Sequence, residues 1–391
     1  MRRITGSFRV TTTGEEQVRA FIPLPLPPSK PPLQMEGKLA LLHTEAMAAL
    51  GRLAVAGAMV PSAGWFLYGF VRKEAVVSAQ IEGTQATLED VVTYEATRQA
   101  EHPADVLEAC NCVAALHYAR SEIKRAKGRP ICTRLLCAVH VRLMKGVRGA
   151  DRQPGCIRTS QNWIGGSRPG NARFVPPPPE AVPKALADLE RWIHGDDPLP
   201  PLARAGLAHV QFETIHPFLD GNGRVGRLLI MLLVEHWHLL TSPLLYLSLA
   251  FKRHRQEYYD RLLAVRTNGD WEGWTAFFLE CVRETADDGV RAAQRLFALV
   301  DGDRHAVVSH PAATIPTVRL FDLLPEHPMV TLASAGKLLN TTKPTALKAL
   351  DALCKAGVLH EITGKRRDRV YAYRRYLAVL AEDTDVPARW Y

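Results

Sequence analysis

Apolar residues recur at helical spacing over most of the chain. The period predicts helices over residues 39–52, from 66 through the nineties, and over 104–127 and 131–148. Residues 149–179 break the pattern. They are rich in Gly, Pro, Asn and Arg and end in Pro176-Pro-Pro-Pro179. A long loop of this kind inside a compact domain is usually functional. Helical spacing returns over 181–194, 202–215, 223–240, 254–266 and about 271–300. Ahead of the first helix, residues 14–34 carry Ile22-Pro-Leu-Pro-Leu-Pro-Pro and predict an extended arm. No repeat of fixed period is present. The expectation is a mostly α protein with few strands.

The pattern changes past residue 311. Residues 317–325 read as a helix, Met329-Val330-Thr331 as a short strand, and 332–339 and 344–356 as two short helices. Residues 358–363 and 370–373 then read as a hairpin around Gly364 to Arg369. That order is a winged helix-turn-helix. The chain accordingly divides into an N-terminal helical region (1–109), a central core with the long loop and trailing helices (110–310), and a winged unit (311–391).

Composition sharpens this picture. The 391 residues are 47% hydrophobic and 23% charged, which excludes a disordered tail protein, a collagen-like fibre and a disulfide miniprotein. Net charge is +9, from 49 Lys and Arg against 40 Asp and Glu. Between 331 and 375 there are ten Lys or Arg and three Asp or Glu, so +7 of it sits in the winged unit. Lys343, Lys348 and a tip carrying Lys365, Arg366, Arg367 and Arg369 match the electrostatic footprint of DNA binding. A protein-interaction module with a solvated basic rim is the alternative. The seven cysteines are scattered and form no C-x-x-C, which predicts buried free thiols and a cytoplasmic protein. Met1 to Thr13 has no apolar core of a secretory leader. Leu53 to Val71 is uncharged and long enough to span a bilayer. Gly57, Pro61, Ser62, Gly64 and Gly69 break it, so a buried helix–loop–helix is expected and no membrane.

The chemistry concentrates in His216-Pro-Phe-Leu-Asp-Gly-Asn-Gly-Arg-Val-Gly-Arg227. Pro217 disfavours continuation of the preceding helix. Gly221 and Gly223 allow a tight turn of converging N–H groups, and the apolar run after Arg227 is a buried helix. The turn therefore lies at a helix N-terminus, a ready anion site. Asn222 adds an amide donor. Arg224 and Arg227 are spaced to reach one side. Their charge disfavours a helix start unless a polyphosphate neutralises it. Asp220 is a hard oxygen ligand suited to Mg²⁺ bridging phosphates. His216 is a base that titrates near neutrality.

This run resembles the signature of Fic-domain proteins, H-P-F-x-[D/E]-G-N-G-R-x-x-R, without a departure. Residues 35–100 are similar to the family's N-terminal helical region and 110–260 to its core. The arrangement resembles bacterial members with a C-terminal winged helix. The resemblance implies a Fic helical core with a β-hairpin flap, and a protein adenylyltransferase that moves AMP from ATP to a Tyr, Thr or Ser hydroxyl of a target protein or of itself. His216 would be the base and Asp220 the Mg²⁺ ligand. Gly221, Asn222, Gly223, Arg224, Val225, Gly226 and Arg227 would hold the phosphates, and Tyr258 and Tyr259 the adenine. Spacing alone does not separate attack at Pα from attack at Pγ, so phosphoryl transfer stays open. A DNA-binding regulator with a nucleotide-sensing or self-modifying core is a further alternative.

The same resemblance assigns two outlying segments. Arg173, Phe174 and Val175, at the far end of the long loop, match the flap that aligns a target chain by strand addition. Ser78-Ala-Gln-Ile-Glu82-Gly83 matches the family's inhibitory motif [S/T]-x-x-x-E-[G/N]. It implies that Glu82 pairs with Arg227 and blocks the γ-phosphate. A homodimer is also within the family's range.

Overall fold

A computed structural model describes residues 3–59, 63–125 and 130–385. The chain opens with a hairpin, β1 (Gly6–Thr13) and β2 (Glu16–Pro23), paired antiparallel along their whole length. Four helices follow: α1 (Lys38–Ala58), α2 (Ala63–Ile81), α3 (Leu88–Thr97) and α4 (Pro103–Lys124). Next come α5 (Thr133–Leu143), the long loop, α6 (Val182–His194), α7 (Pro201–Ile215) and α8 (Asn222–His236). The body closes with α9 (Ser248–Arg253), α10 (Arg255–Asn268) and α11 (Trp271–Ser309). The last unit is α12 (Ile315–Leu323), β3 (Met329–Thr331), α13 (Leu332–Leu339), α14 (Lys343–Lys355), β4 (His360–Glu361), β5 (Val370–Ala372) and α15 (Arg374–Ala381).

The body is organised round α7 and α8. Every residue from Leu202 to Ile215 is buried, as is every residue from Arg224 to Val234. A helix enclosed on all sides must be apolar or must pair its charges internally, and α8 does both. The 39-residue α11 runs across the body, and α1 lies along it with Leu39, Leu42, Ala46, Leu50 and Leu53 turned inward. One apolar core continues from α1 to α15. Asp303 of α11 ties the last unit down: Tyr373 donates to it at 2.7 Å and Arg375 pairs with it at 2.6 Å. In that unit β3, β5 and β4 form an antiparallel sheet in the order β3-β5-β4.

Several expectations are corrected. The N-terminal arm is a strand pair as far as Pro23, and only residues beyond it run as extended chain. Phe8 and Val10 on β1, and Val18, Ala20 and Ile22 on β2, recur at period two, but the prolines that follow mask the signal. The helix expected from 66 through the nineties is two helices, because Gly83 takes φ 98° just past α2. Helix α15 follows the hairpin where no helix is expected. Cys156 is exposed, while all seven cysteines are free. Pro61 and Ser62 lie outside the described residues. Among the described residues, the helix long and apolar enough to cross a membrane by length and composition is α1.

Candidate active site

Helix α7 stops because its next residue, His216, turns left-handed at φ 50° and ψ 62°. The five-residue loop after it is stitched from inside by Asn222. Its Oδ1 accepts from Phe218 N at 2.9 Å, and its Nδ2 donates to Phe218 O at 2.8 Å. The side-chain amide expected to face an anion is therefore a staple, and only backbone N–H groups remain for that task. His140 of α5 braces the loop from behind. Gly155 N donates to its Nδ1 at 2.8 Å, so its Nε2 carries the proton and donates to Asp220 O at 3.0 Å. Its ring also stacks on Phe218 at 4.0 Å.

Gly221, at φ 74°, starts α8. Asp220 is half-buried and its Oδ1 accepts from Gly221 N at 2.6 Å. A Cβ on Gly223 would lie 2.2 Å from Glu82 Oε1. Glu82 thus lays its carboxylate on the glycine of the helix start, where the field favours negative charge. Arg227 holds it there: Nη2 donates to Glu82 Oε1 at 2.7 Å and to Ser78 O at 2.9 Å, and Nε donates to Ser78 Oγ at 2.9 Å. Burial opposes ionisation of Glu82, but Arg227 and Arg224 outweigh it and hold the carboxyl below its usual range.

The two arginines do not converge as their spacing suggested. Arg227 turns to α2, whereas Arg224 turns to α4 and meets Glu108 at 2.9 Å with both side chains 2% exposed. Two carboxylates, Glu108 buried and Glu82 partly exposed, neutralise the helix start. Glu108 was invisible locally because it lies 116 residues away.

His216 is surrounded by Arg158, Arg266, Glu82 and Glu213. Burial and then the two arginines push its imidazole down to about 3, against the Glu82 carboxylate and a backbone hydrogen bond to Glu213. It is a neutral base at pH 7. Glu213, one turn earlier on α7, is pushed up to about 7 by burial, with Arg227 opposing and Glu82 reinforcing. A Cβ on Gly226 would lie 2.2 Å from its Oε1, which accounts for that glycine. Unfolding restores the Glu213 carboxyl to its ordinary value of 4.5. The folded state therefore binds the extra proton, and the stability it adds at low pH is lost as pH rises through about 7. The slope is about 1.4 kcal/mol per pH unit for one proton. Urea midpoints of Glu213→Gln should consequently fall less than wild type between pH 5 and 8. Parallel curves would clear Glu213 of that role.

The loop before the site is a minimal hairpin in which Ile164 and Phe174 exchange backbone bonds at 2.8 and 3.1 Å. The expected docking residues are mostly covered. Phe174 is 8% and Val175 9% exposed, and Val175 O accepts from Phe21 N of β2 at 2.9 Å. Arg173 alone faces outward, paired with Asp260 at 3.1 Å. Of the two tyrosines, Tyr258 is a core residue. Its hydroxyl bonds to His209 Nε2 at 2.8 Å and its ring stacks on Phe251 at 4.5 Å. Tyr259 is only partly buried, beneath Arg255.

A neutral imidazole thus stands at the end of one helix, and the Glu82 carboxylate sits on the start of the next. The Fic/DOC family signature matches residues 130–234, and the Fic/DOC N-terminal signature matches 40–121. The chain belongs to the Fic family. A probable protein adenylyltransferase of Aquifex aeolicus is 28% identical over 201 residues, 50% of this chain and 55% of that protein. The protein adenylyltransferase Fic of Culex quinquefasciatus is 30% identical over 154 residues, 39% of this chain and 28% of that one. The chain thus spans about half the length of the bacterial relative and less of the insect one. A Fic family protein from Desulfovibrio desulfuricans shares the fold at TM-score 0.56 and 22% identity, over 88% of this chain and 98% of its own.

Proposed function

We propose that the protein is an adenylyltransferase that moves AMP from ATP to a hydroxyl side chain of a target protein or of itself, and that Glu82 restrains it. The single observation that carries this reading is the Glu82 carboxylate seated on Gly223 and bound by Arg227. An acidic side chain there marks the seat as one for anions and holds the guanidinium a terminal phosphate would use. His216 takes the hydroxyl proton as the oxygen attacks Pα. The new O–Pα bond forms as the bond from Pα to the bridging oxygen breaks, and pyrophosphate leaves. Transfer of this kind asks the protein chiefly for positioning and charge stabilisation.

Mg²⁺ fits the residues present. Among the described residues no cluster of three or more His, Cys, Asp or Glu side chains could hold a metal. Mg²⁺ bound with a nucleotide takes one or two carboxylates and the phosphates, so Asp220 suffices. When bound it would offset phosphate charge. The test is intact mass after incubation with ATP and Mg²⁺: a gain of one AMP supports the reading, and label carried from the γ- but not the α-phosphate replaces it with phosphoryl transfer.

The last unit favours a second role in DNA binding. Lys343 and Lys348 are exposed on α14, and every residue from Gly364 to Arg369 is exposed between β4 and β5. This is the placement a winged helix-turn-helix needs, with a basic helix for the groove and a basic tip for the backbone. Replacing Lys365, Arg366, Arg367 and Arg369 by Ala should weaken DNA retention and reduce its salt slope by about 0.9 for each phosphate no longer neutralised. No retention by wild type at low salt would leave the unit as a protein-interaction module.

A further inference from the structure

We propose that Arg158 is the positioning residue for His216, acting through the backbone at the end of α7 and registering the flap against the base. What the imidazole does rests on the adenylyltransferase reading, whereas the anchor itself is a matter of geometry. Arg158 lies in the long loop and is 1% exposed. Its Nε donates to His216 O at 2.8 Å, and its Nη2 to Pro177 O at 2.5 Å and Ile215 O at 3.5 Å. Its Nη1 donates to Ser160 O at 3.1 Å, and its backbone N–H to Pro217 O at 2.9 Å. The side chain therefore joins the end of α7, the base's own carbonyl and both sides of the flap root, and the backbone N–H adds the residue after the base.

Three features separate this from ordinary packing. First, Ile215 and His216 present carbonyls that a helix end leaves without partners, at the end where a cation is favoured. Second, His216 holds a left-handed backbone that its Cβ resists, and Arg158 bonds that residue's own carbonyl. Third, among the described residues the donors of Arg158 bond only to backbone carbonyls, with no carboxylate within 4.0 Å. A buried guanidinium without a directly paired carboxylate is costly, Glu180 acting on it only from further off, and an apolar side chain of equal volume would pack as well. The charge has a use here. Arg158 with Arg266 opposes protonation of the imidazole, against Glu82 and Glu213. Arg266 reinforces the anchor, donating to Glu213 O at 3.0 Å and Thr214 Oγ1 at 3.1 Å while lying 4.2 Å over Phe174 of the flap.

The experiment compares Arg158→Met and Arg158→Lys in a Glu82→Gly background, where transfer is fastest. Arg158→Met should lower kcat tenfold or more while KM for ATP moves less than about twofold, because the phosphate seat on α8 is untouched. Arg158→Lys keeps the charge but not the fork, so its rate should be intermediate. Carbon-13 imidazole NMR of the ligand-free protein supplies a readout independent of turnover. His216 should stay neutral from pH 5 to 8 in wild type and in Arg158→Lys, and its titration should move upward in Arg158→Met, burial and Arg266 still holding it below the free value. An unchanged kcat in Arg158→Met, or a lower unfolding midpoint with kcat intact, overturns the proposal. If the Met variant does not fold, the wild-type and Lys titrations decide, and a wild-type His216 titrating near 6.5 overturns it. A Glu82→Gly parent that transfers no AMP sinks the adenylyltransferase reading instead, and the titrations still decide the anchor.

Discussion

Replacing His216 by Ala should lower the rate of AMP transfer by about 10²- to 10⁴-fold, the usual cost of losing a general base. ATP affinity should change little. The imidazole and the proposed anion seat belong to different elements: His216 ends α7, while the N–H groups proposed to meet the phosphates start α8. Asn222→Ala should behave differently. Its amide closes the loop through both backbone atoms of Phe218, so its loss should disturb the base and the seat together. Because burial and the nearby arginines keep His216 neutral down to about 3, kcat/KM should show no acid limb near pH 6.5 in the free enzyme. Intact mass gives the rate and calorimetry the affinity. A His216→Ala protein with full activity would remove the residue from the mechanism.

The active-site loop was legible in the sequence because its determinants are local. Pro217 and Gly221 dictate where one helix stops and the next begins, and they sit beside the residues whose chemistry matters; Gly223, expected in the turn, is already helical and serves close approach of Glu82. The pairing of Arg227 with Glu82 spans 145 residues, and nothing in the spacing requires it. Family resemblance suggested that contact, and the side chains make it. Glu108, Glu213, Arg158 and Arg266 had neither local spacing nor a motif to reveal them. Each is a charged residue enclosed by elements distant in sequence, a condition that only the packed structure exposes. The flap misled for a related reason. Phe174 and Val175 look like peptide-docking residues until β2, itself hidden behind prolines, covers them. Arg224 likewise reads as a phosphate clamp, yet here its charge is taken up by Glu108.

Glu82→Gly should accelerate AMP transfer, by roughly 10²-fold if the restraint acts through misplacement of the α-phosphate by about 1 Å. The carboxylate and a terminal phosphate compete for the same Arg227 fork and the same ground above Gly223. Such charge-assisted pairs are strong, so ATP would bind with its chain displaced rather than be excluded. The restraint is nevertheless releasable, since the Glu82 side chain is 32% exposed and lies just past the end of α2, whereas Arg227 is fixed at 2%. Acid should not release it near neutrality, because Arg227 and Arg224 keep the carboxyl ionised below its usual range. Gly at position 82 lies outside the α2 interior, so it should cost less than the roughly 1 kcal/mol of a mid-helix glycine, which an unfolding midpoint would verify. Adding His216→Ala to Glu82→Gly should return the rate to that of His216→Ala alone, because freeing the phosphate seat supplies no base. Intact-mass time courses of wild type, both single variants and the double variant make the comparison. A Glu82→Gly rate at or below wild type would mean that the carboxylate on Gly223 does not obstruct transfer.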